Sequence, residues 1–514
     1  MDWTAGYASD VEYTAGFYRE QGPTLLNFVC ALNGYQPSVT EGPFNYFELG
    51  FGRGLTANVL AAGNPQGNFY AADFNPSHVA SARELAQSAR LDNLTLIEAS
   101  FEDLAAGKQA ALPQFDFITL HGIYTWVSAE NQAHIVAFID RYLKPGGIVM
   151  VSYNAMPGWA PALPMQRLLV EYADAFPERS DAQVKGAVKL IQRMEDLKAN
   201  YFVGNPGLKA RLDVLKGDNT NYLVHEFMHH QWQPLYHADV ARDMARAKLD
   251  FVGSADLAHA YPGLLLNEEK LAAIAAVSSG PVRETLKDYF LNTGFRKDVY
   301  VRGARTLAPL RQAEYLSGLG VALVVPREDV RTKLSLPVGE VEGKAELYQP
   351  VFDALARRPH TLRELLALPG LAGQSVGSVA QIAALLTASG QTALYDPGSA
   401  KRDSAPALRL NRALAELARH SDEHRVLCSP LLGSGHPASH VERLVYRVLP
   451  AHAAPYDAQK IAREVWTVLA AQGRRVVKDG VTLQSDDDNL AELGRQVEAI
   501  LKRALPTWRQ LGML

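Results

Sequence analysis

The chain has 514 residues, 47% hydrophobic and 21% charged, with a formal net charge of −4. That length predicts about two to four domains of roughly 100–200 residues each, and the balance suits sizeable cores while offering no positive excess for nucleic acid or an anionic membrane. Two distant cysteines (Cys30, Cys428) suggest no disulfide framework and hence a cytoplasmic location, the opening MDWTAGYASDVEY does not read as a signal peptide, and no run of about 18 apolar residues could span a membrane.

Residues 1–43 carry Tyr7, Tyr13, Phe17 and Tyr18 ahead of a helix-like TLLNFVCALNG. These aromatics either pack a helical flap or form a lid over a ligand. Phe44, Tyr46, Phe47 and Leu49 then mark a short buried strand. It runs into Gly50, Gly52 and Gly54, after which Leu55, Val59, Leu60 and Ala62 recur at helical spacing. Strand, glycine turn and helix N-terminus together present free N–H groups and a positive helix end to a ligand, and a β-carbon would block that approach. A dinucleotide fingerprint has its third glycine five residues after the first; that position here is Leu55. The spacing E-x-G-x-G-x-G, from Glu48 to Gly54, instead resembles class I S-adenosylmethionine (AdoMet) methyltransferases, where the loop holds the methionine part of the cofactor.

Further strands are expected at 68–74, 94–100, 115–122 and 147–154, with helices over about 76–90 and 130–142. Such β-α alternation with near-continuous apolar strands predicts a parallel sheet covered on both faces. Asp73 ends the second strand, where an acid can take ribose hydroxyls. From Ala160 to about Gly217 the pattern is helical and amphipathic. Residues 238–256 look like the last helix and sixth strand, and 297–303 like the seventh. Pro326 to Glu342 is polar and proline-containing, suitable as a linker. Tyr348 to Tyr395 predicts three short helices and a strand, a winged-helix-like order whose helix over 376–388 has no Lys or Arg for DNA, which favours a packing or protein-binding role. Residues 420–514 are mostly helical, with the acidic run at 486–488 expected in a solvated loop.

Two motifs invite other chemistry. His225-Glu226-Phe227-Met228-His229 matches H-E-x-x-H, but a zinc site needs a third ligand; His237 lies beyond Pro234 at no zincin spacing, so no metal is expected. Gly373-Gln374-Ser375-Val376-Gly377 matches G-x-S-x-G, yet a turn precedes it rather than a buried strand, which makes Ser375 a helix N-cap.

The segments FELGFGRG, LHGIYTWVS, VSYNAMPGW, YLVHEFMHHQWQPLYHADV, FRKDVYVRGAR and GRRVVKDG resemble the bacterial protein-lysine methyltransferase-like family that carries a methyltransferase regulatory domain. Relatives of outer-membrane-protein lysine methyltransferases belong to it. The resemblance implies an α/β fold: a Rossmann-like, seven-stranded class I methyltransferase sheet with a helical insertion, plus a mostly helical, winged-helix-like C-terminal half. Domains are expected at 1–305 (AdoMet-binding, insertion about 156–236), 306–420 and 421–514. Carried over, Glu48, Gly50, Phe51, Gly52 and Gly54 would cradle the methionine moiety and Asp73 the ribose. Phe74, Ser100 and Phe101 would surround the adenine; Ser100 stands where many class I enzymes have Asp, so Phe101 is the expected stacking neighbour. His121 and Gly122 would lie under the sulfonium.

Tyr124, Trp126, Tyr153, Asn154 and Trp159 come from the ends of the fourth and fifth strands and are expected to form the acceptor channel, the alternative being that these rings pack the helical insertion onto the sheet. Aromatic faces attract ammonium groups, and a dry wall lowers an amine's pKa. The expected function is methyl transfer from AdoMet to protein lysine, on a protein substrate in the outer-membrane class. The rival readings are a small-molecule or nucleic-acid methyltransferase and a non-catalytic AdoMet-binding protein. The acceptor, the number of methyl groups, the role of the C-terminal half and the oligomeric state stay open.

Overall fold

The computed structural model describes residues 15–109, 111–215, 217, 220–336, 339–452 and 454–514; Tyr7 and Tyr13 lie outside them. Seven strands form one sheet: β1 (Phe44–Leu49), β2 (Gly67–Asp73), β3 (Leu94–Glu98), β4 (Phe115–Leu120), β5 (Leu143–Asn154), β6 (Leu249–Ser254) and β7 (Phe295–Arg302). Their order is β3-β2-β1-β4-β5-β7-β6. The first five run parallel, and β7 enters antiparallel between β5 and β6, with Asn154 opposite Phe295 and Ser152 opposite Lys297. This is the class I methyltransferase sheet.

Side-chain alternation sorts the strands onto two faces. Tyr46, Phe117, Ile148, Met150, Val299 and Val301 meet Phe28 and Val29 of helix α1 (Pro23–Leu32). Phe47, Ile118, Val149, Val151, Tyr153 and Tyr300 pack on the other face with Ile135 and Phe138. On the α1 face, continuing the same strands to their edge brings up Glu48, Thr119, His121, Ser152, Asn154, Lys297 and Phe295 in turn. That row of polar and aromatic ends is where the fold places chemistry.

The insertion contributes helices Leu163–Ala175, Ser180–Asp196 and Thr220–Phe227 around a core that includes Trp159, Leu169, Ile191 and Trp232. Beyond β7, strands Gly320–Leu323, His360–Thr361 and Thr392–Tyr395 form a small antiparallel sheet. Its core is continuous with the α1 face: Val321, Phe352 and Leu385 share one cluster with Phe28 and Val29. In helix Val376–Ala388, Val379, Ala380, Ile382, Leu385 and Leu386 are all buried. Helix Ala405–Leu417 sets Leu410 and Leu414 against Val59 and Leu85, so the C-terminal half braces the helix behind the glycine loop.

Two expectations fail locally. The stretch 326–342 is no linker: Lys333–Leu336 and Gly339–Glu342 pair as a hairpin, and Val330, Leu334 and Leu336 are buried. Its Lys-Leu-Ser-Leu alternation is a half-buried strand, which its prolines and polar residues mask. Asp486, Asp487 and Asp488 are not in a loop but in the first turn of helix Asp486–Ala499, where Ser485 accepts the Asp488 amide at 3.1 Å. Carboxylates there meet the positive helix end.

Candidate active site

The loop after β1 holds Gly50, Gly52 and Gly54 at φ of 69°, 56° and 72°, a left-handed region costly to residues with a β-carbon. Space excludes one too: it would meet Ile123 Cδ1 at 2.5 Å from Gly50 and Ala82 Cβ at 2.4 Å from Gly54. Gly54 caps helix α2 (Leu55–Gly63). The Phe51 side chain packs with Val79 and Ala82, so it anchors the loop from beneath. Asp73 ties β2 to this loop: one oxygen accepts the Gly52 amide at 2.9 Å, the other the Asn75 amide at 2.9 Å, with His78 Nδ1 at 3.2 Å. Phe74 follows, half-buried. Ser100 accepts the Asp103 amide at 3.1 Å, capping the short helix that Phe101 begins. Gly122, at φ 64°, has nothing among the described residues within 4 Å of its would-be β-carbon.

Glu48 is buried, with one oxygen accepting from Gln21 Nε2 at 3.0 Å and Oε2 without a hydrogen-bond partner among the described residues. Burial raises its pKa to about 8; the Gln21 hydrogen bond opposes this and the Asp73 charge adds to it. Thr119 donates to Gln21 Oε1 at 2.6 Å and lies 2.6 Å from the Tyr46 hydroxyl. A strap of residues 17–22 thus crosses the α1 face. Tyr18 stacks on His121 at 3.7 Å between ring centroids, and Glu20 pairs with Lys297 at 2.6 Å. Ser152 Oγ accepts the Gly122 amide at 2.8 Å and lies 3.1 Å from His121 Nδ1. Burial lowers the His121 pKa to about 4, leaving the ring neutral at pH 7.

The aromatics expected over the acceptor do not make one wall. Tyr153 lies on the opposite face and donates to Asp298 Oδ2 at 2.6 Å; Tyr124 donates to Asp243 at 3.0 Å. Trp126 joins the insertion, 5.3 Å from His229 and 6.0 Å from Trp232. Trp159 stands 4.8 Å from Trp232, with the Arg211 guanidinium 3.4 Å over its ring. Asn154 does face the site side: it is buried, and its Nδ2 has no hydrogen-bond partner among the described residues. Gln21, Glu20 and Lys297 were missed because their partners lie far along the chain. The signal for Lys297 was a charged residue two positions before Val299 in a buried strand.

His237, the one candidate third ligand for H-E-x-x-H, is spent on Asp298 at 2.8 Å. Among the described residues no group of three or more His, Cys, Asp or Glu converges as a metal site. Ser375 accepts the Ser378 amide at 3.1 Å as an N-cap. Among the described residues no helix is long and apolar enough to cross a membrane.

Residues 44–201 match a methyltransferase domain and residues 219–302 a predicted methyltransferase regulatory domain. The second match ends on β7, so it spans the two strands that complete the sheet. An uncharacterized protein of Synechocystis sp. is 38% identical over 515 aligned positions, covering 100% of both chains. One of Rickettsia prowazekii is 24% identical over 43% of this chain and 86% of its own. The structure of PKMT2 from Rickettsia typhi in complex with AdoHcy superposes with a TM-score of 0.70 at 17% identity, over 97% of this chain and 99% of that one; at that identity the likeness is one of fold.

Proposed function

We propose, for a chain that belongs to the family of methyltransferases joining a methyltransferase domain to a methyltransferase regulatory domain, that it transfers methyl groups from AdoMet to lysine side chains of a protein. The observation that carries the cofactor half is Glu48: a buried acid with a partnerless oxygen, one strand away from Asp73 and beside three left-handed glycines. Such a group is suited to the α-ammonium of a cationic amino acid, while Asp73 and Phe101 are suited to the ribose and adenine. When bound, AdoMet supplies a sulfonium methyl whose C–S electron pair leaves with sulfur as an amine nitrogen bonds to carbon. The chain's part is to align the two and exclude water. The acceptor half rests on the resemblance to protein-lysine methyltransferases and on the strand ends that carry Gly122 and the buried Asn154; an outer-membrane protein is the acceptor class suggested. Tritium transfer from labelled AdoMet into a host lysate, followed by hydrolysis to methyl-lysine, tests it. Label in RNA or small molecules alone would overturn the lysine assignment.

At pH 7 Glu48 lies below its ligand-free pKa of about 8 and holds a proton. A bound α-ammonium favours the carboxylate, so AdoMet binding should release up to about one proton. Calorimetry in two buffers of unlike ionisation enthalpy should show this, and Glu48→Gln should abolish it. The sign for stability follows: the folded pKa is raised above the ordinary 4.5, so the contribution is full below 4.5 and is lost as pH rises through about 8.

Asn154→Ala should lower methyl transfer at least about tenfold, or roughly 1.4 kcal/mol in the transition state, with AdoMet affinity within about threefold. Tyr153→Phe should leave transfer within about threefold but cost about 1–3 kcal/mol of stability, because Asp298 loses a buried donor. Equal rate losses in both variants would mean that the two faces are not functionally distinct.

A further inference from the structure

Between the edge of the large sheet and the C-terminal half lies a cavity of about 690 Å³, within the range of ligand sites. Its floor is the row already described: Tyr18, His121 and Phe295, with the Glu20–Lys297 pair. Its roof comes from residues more than 250 positions along the chain from His121: Ala388 and Ser389 at the end of helix Val376–Ala388, and Ser434 and His436 of the hairpin Val426–Ser429 with Ser434–Pro437. Arg19 donates to the Ala388 carbonyl at 3.4 Å, joining strap to roof. Exposed Pro437 lies on the rim. Floor and cofactor cradle are neighbours along the chain: His121 precedes Gly122, and Glu20 precedes Gln21, which holds Glu48.

We propose that this cavity is the acceptor channel, and that the C-terminal half forms its outer wall, guiding the side chain of a lysine in a polypeptide to the methyl group. The inference rests on the lysine reading above and adds where the substrate lies. The aromatic rings of Tyr18 and Phe295 suit the apolar methylene stem of a lysine. The charges on the lining suit a neutral amine: Arg19 and Lys297 stand against Glu20 alone, and nearby cations with partial burial disfavour a second ammonium. The amine enters as R–NH3+, gives its proton to water at the mouth, and presents the freed lone pair. Glu20 can accept one of the remaining N–H bonds.

The probe is an AdoHcy analogue with nitrogen in place of sulfur, carrying an aminoethyl group extended by a four-carbon alkyl chain. On the full-length wild type it should bind at least about tenfold more tightly than AdoHcy, which corresponds to about 1.4 kcal/mol. Ala388→Trp and, independently, Ser434→Trp fill the cavity from the roof. Each should erase that gain while AdoHcy binds within about threefold, and either variant suffices if the other does not fold. Failure of wild type to bind AdoHcy overturns the cofactor reading and this inference with it. AdoHcy binding with no gain in wild type, or with a gain that survives both tryptophans, overturns the channel alone.

Discussion

Asp73→Ala is expected to weaken AdoHcy binding by at least about a hundredfold. Hydrogen bonds to a charged group contribute about 1.5–3 kcal/mol each, and two ribose hydroxyls would be lost, which gives about 3–6 kcal/mol or roughly two to four decades. A second effect has the same sign. The carboxylate is the acceptor for the Gly52 and Asn75 amides, so alanine releases the glycine loop from the end of β2 as well as removing the ribose contact. Asp73→Asn separates the two effects. Its one remaining oxygen can still accept an amide, and its loss should be intermediate, about tenfold. Titration calorimetry with AdoHcy checks both variants, with the thermal midpoint as a folding control. Wild-type affinity in Asp73→Ala would remove this acid from the cofactor site.

The glycine loop, the strand ends and the sixth and seventh strands were legible because each is a local pattern: apolar run, turn residue, helical spacing. What was not legible is long-range. Nothing in residues 17–22 announces that Gln21 will meet Glu48 and Thr119, or that Glu20 will meet Lys297, because those contacts exist only once the strap crosses the assembled ends of β1, β4 and β7. The placement of Tyr153 failed for a different reason. Residues 148–151 are apolar on both parities, as a strand covered on both faces must be, so only the polar parity of Ser152 and Asn154 hinted that Tyr153 and Asn154 part company and which one faces the ligand. The strap over the α1 face decides it, and that is a tertiary fact. The stretch 326–342 shows the converse, a short legible alternation hidden by its composition.

The network behind Tyr153 sets the largest stability effect. Asp298, fully buried in β7, accepts from Tyr153 at 2.6 Å, His237 Nδ1 at 2.8 Å and Arg296 Nε at 2.9 Å. Arg296, also buried, donates further to Asp288 at 2.7 Å and Glu284 at 3.2 Å. The two buried acids respond oppositely. Asp298 is held well below the usual carboxylate range, since Arg296 and His237 outweigh its burial, whereas at Asp288 burial outweighs Arg296 and raises the pKa. Asp298→Ala leaves a buried guanidinium short of one partner and deprives Tyr153, His237 and Tyr300 of their acceptor, which should cost about 3–5 kcal/mol. Because the folded pKa is depressed, this stability is present above the unfolded value near 3.9 and is lost only as pH falls through the folded one. The difference from wild type should therefore shrink on acidification through that range. Chemical denaturation across that range checks it. The double variant Asp298→Ala with Arg296→Met should be no milder than the single one, since it leaves Asp288, also buried, without its guanidinium. A single variant as stable as wild type would mean that water reaches the strand and that this network does not fix β7, and with β7 the position of Lys297.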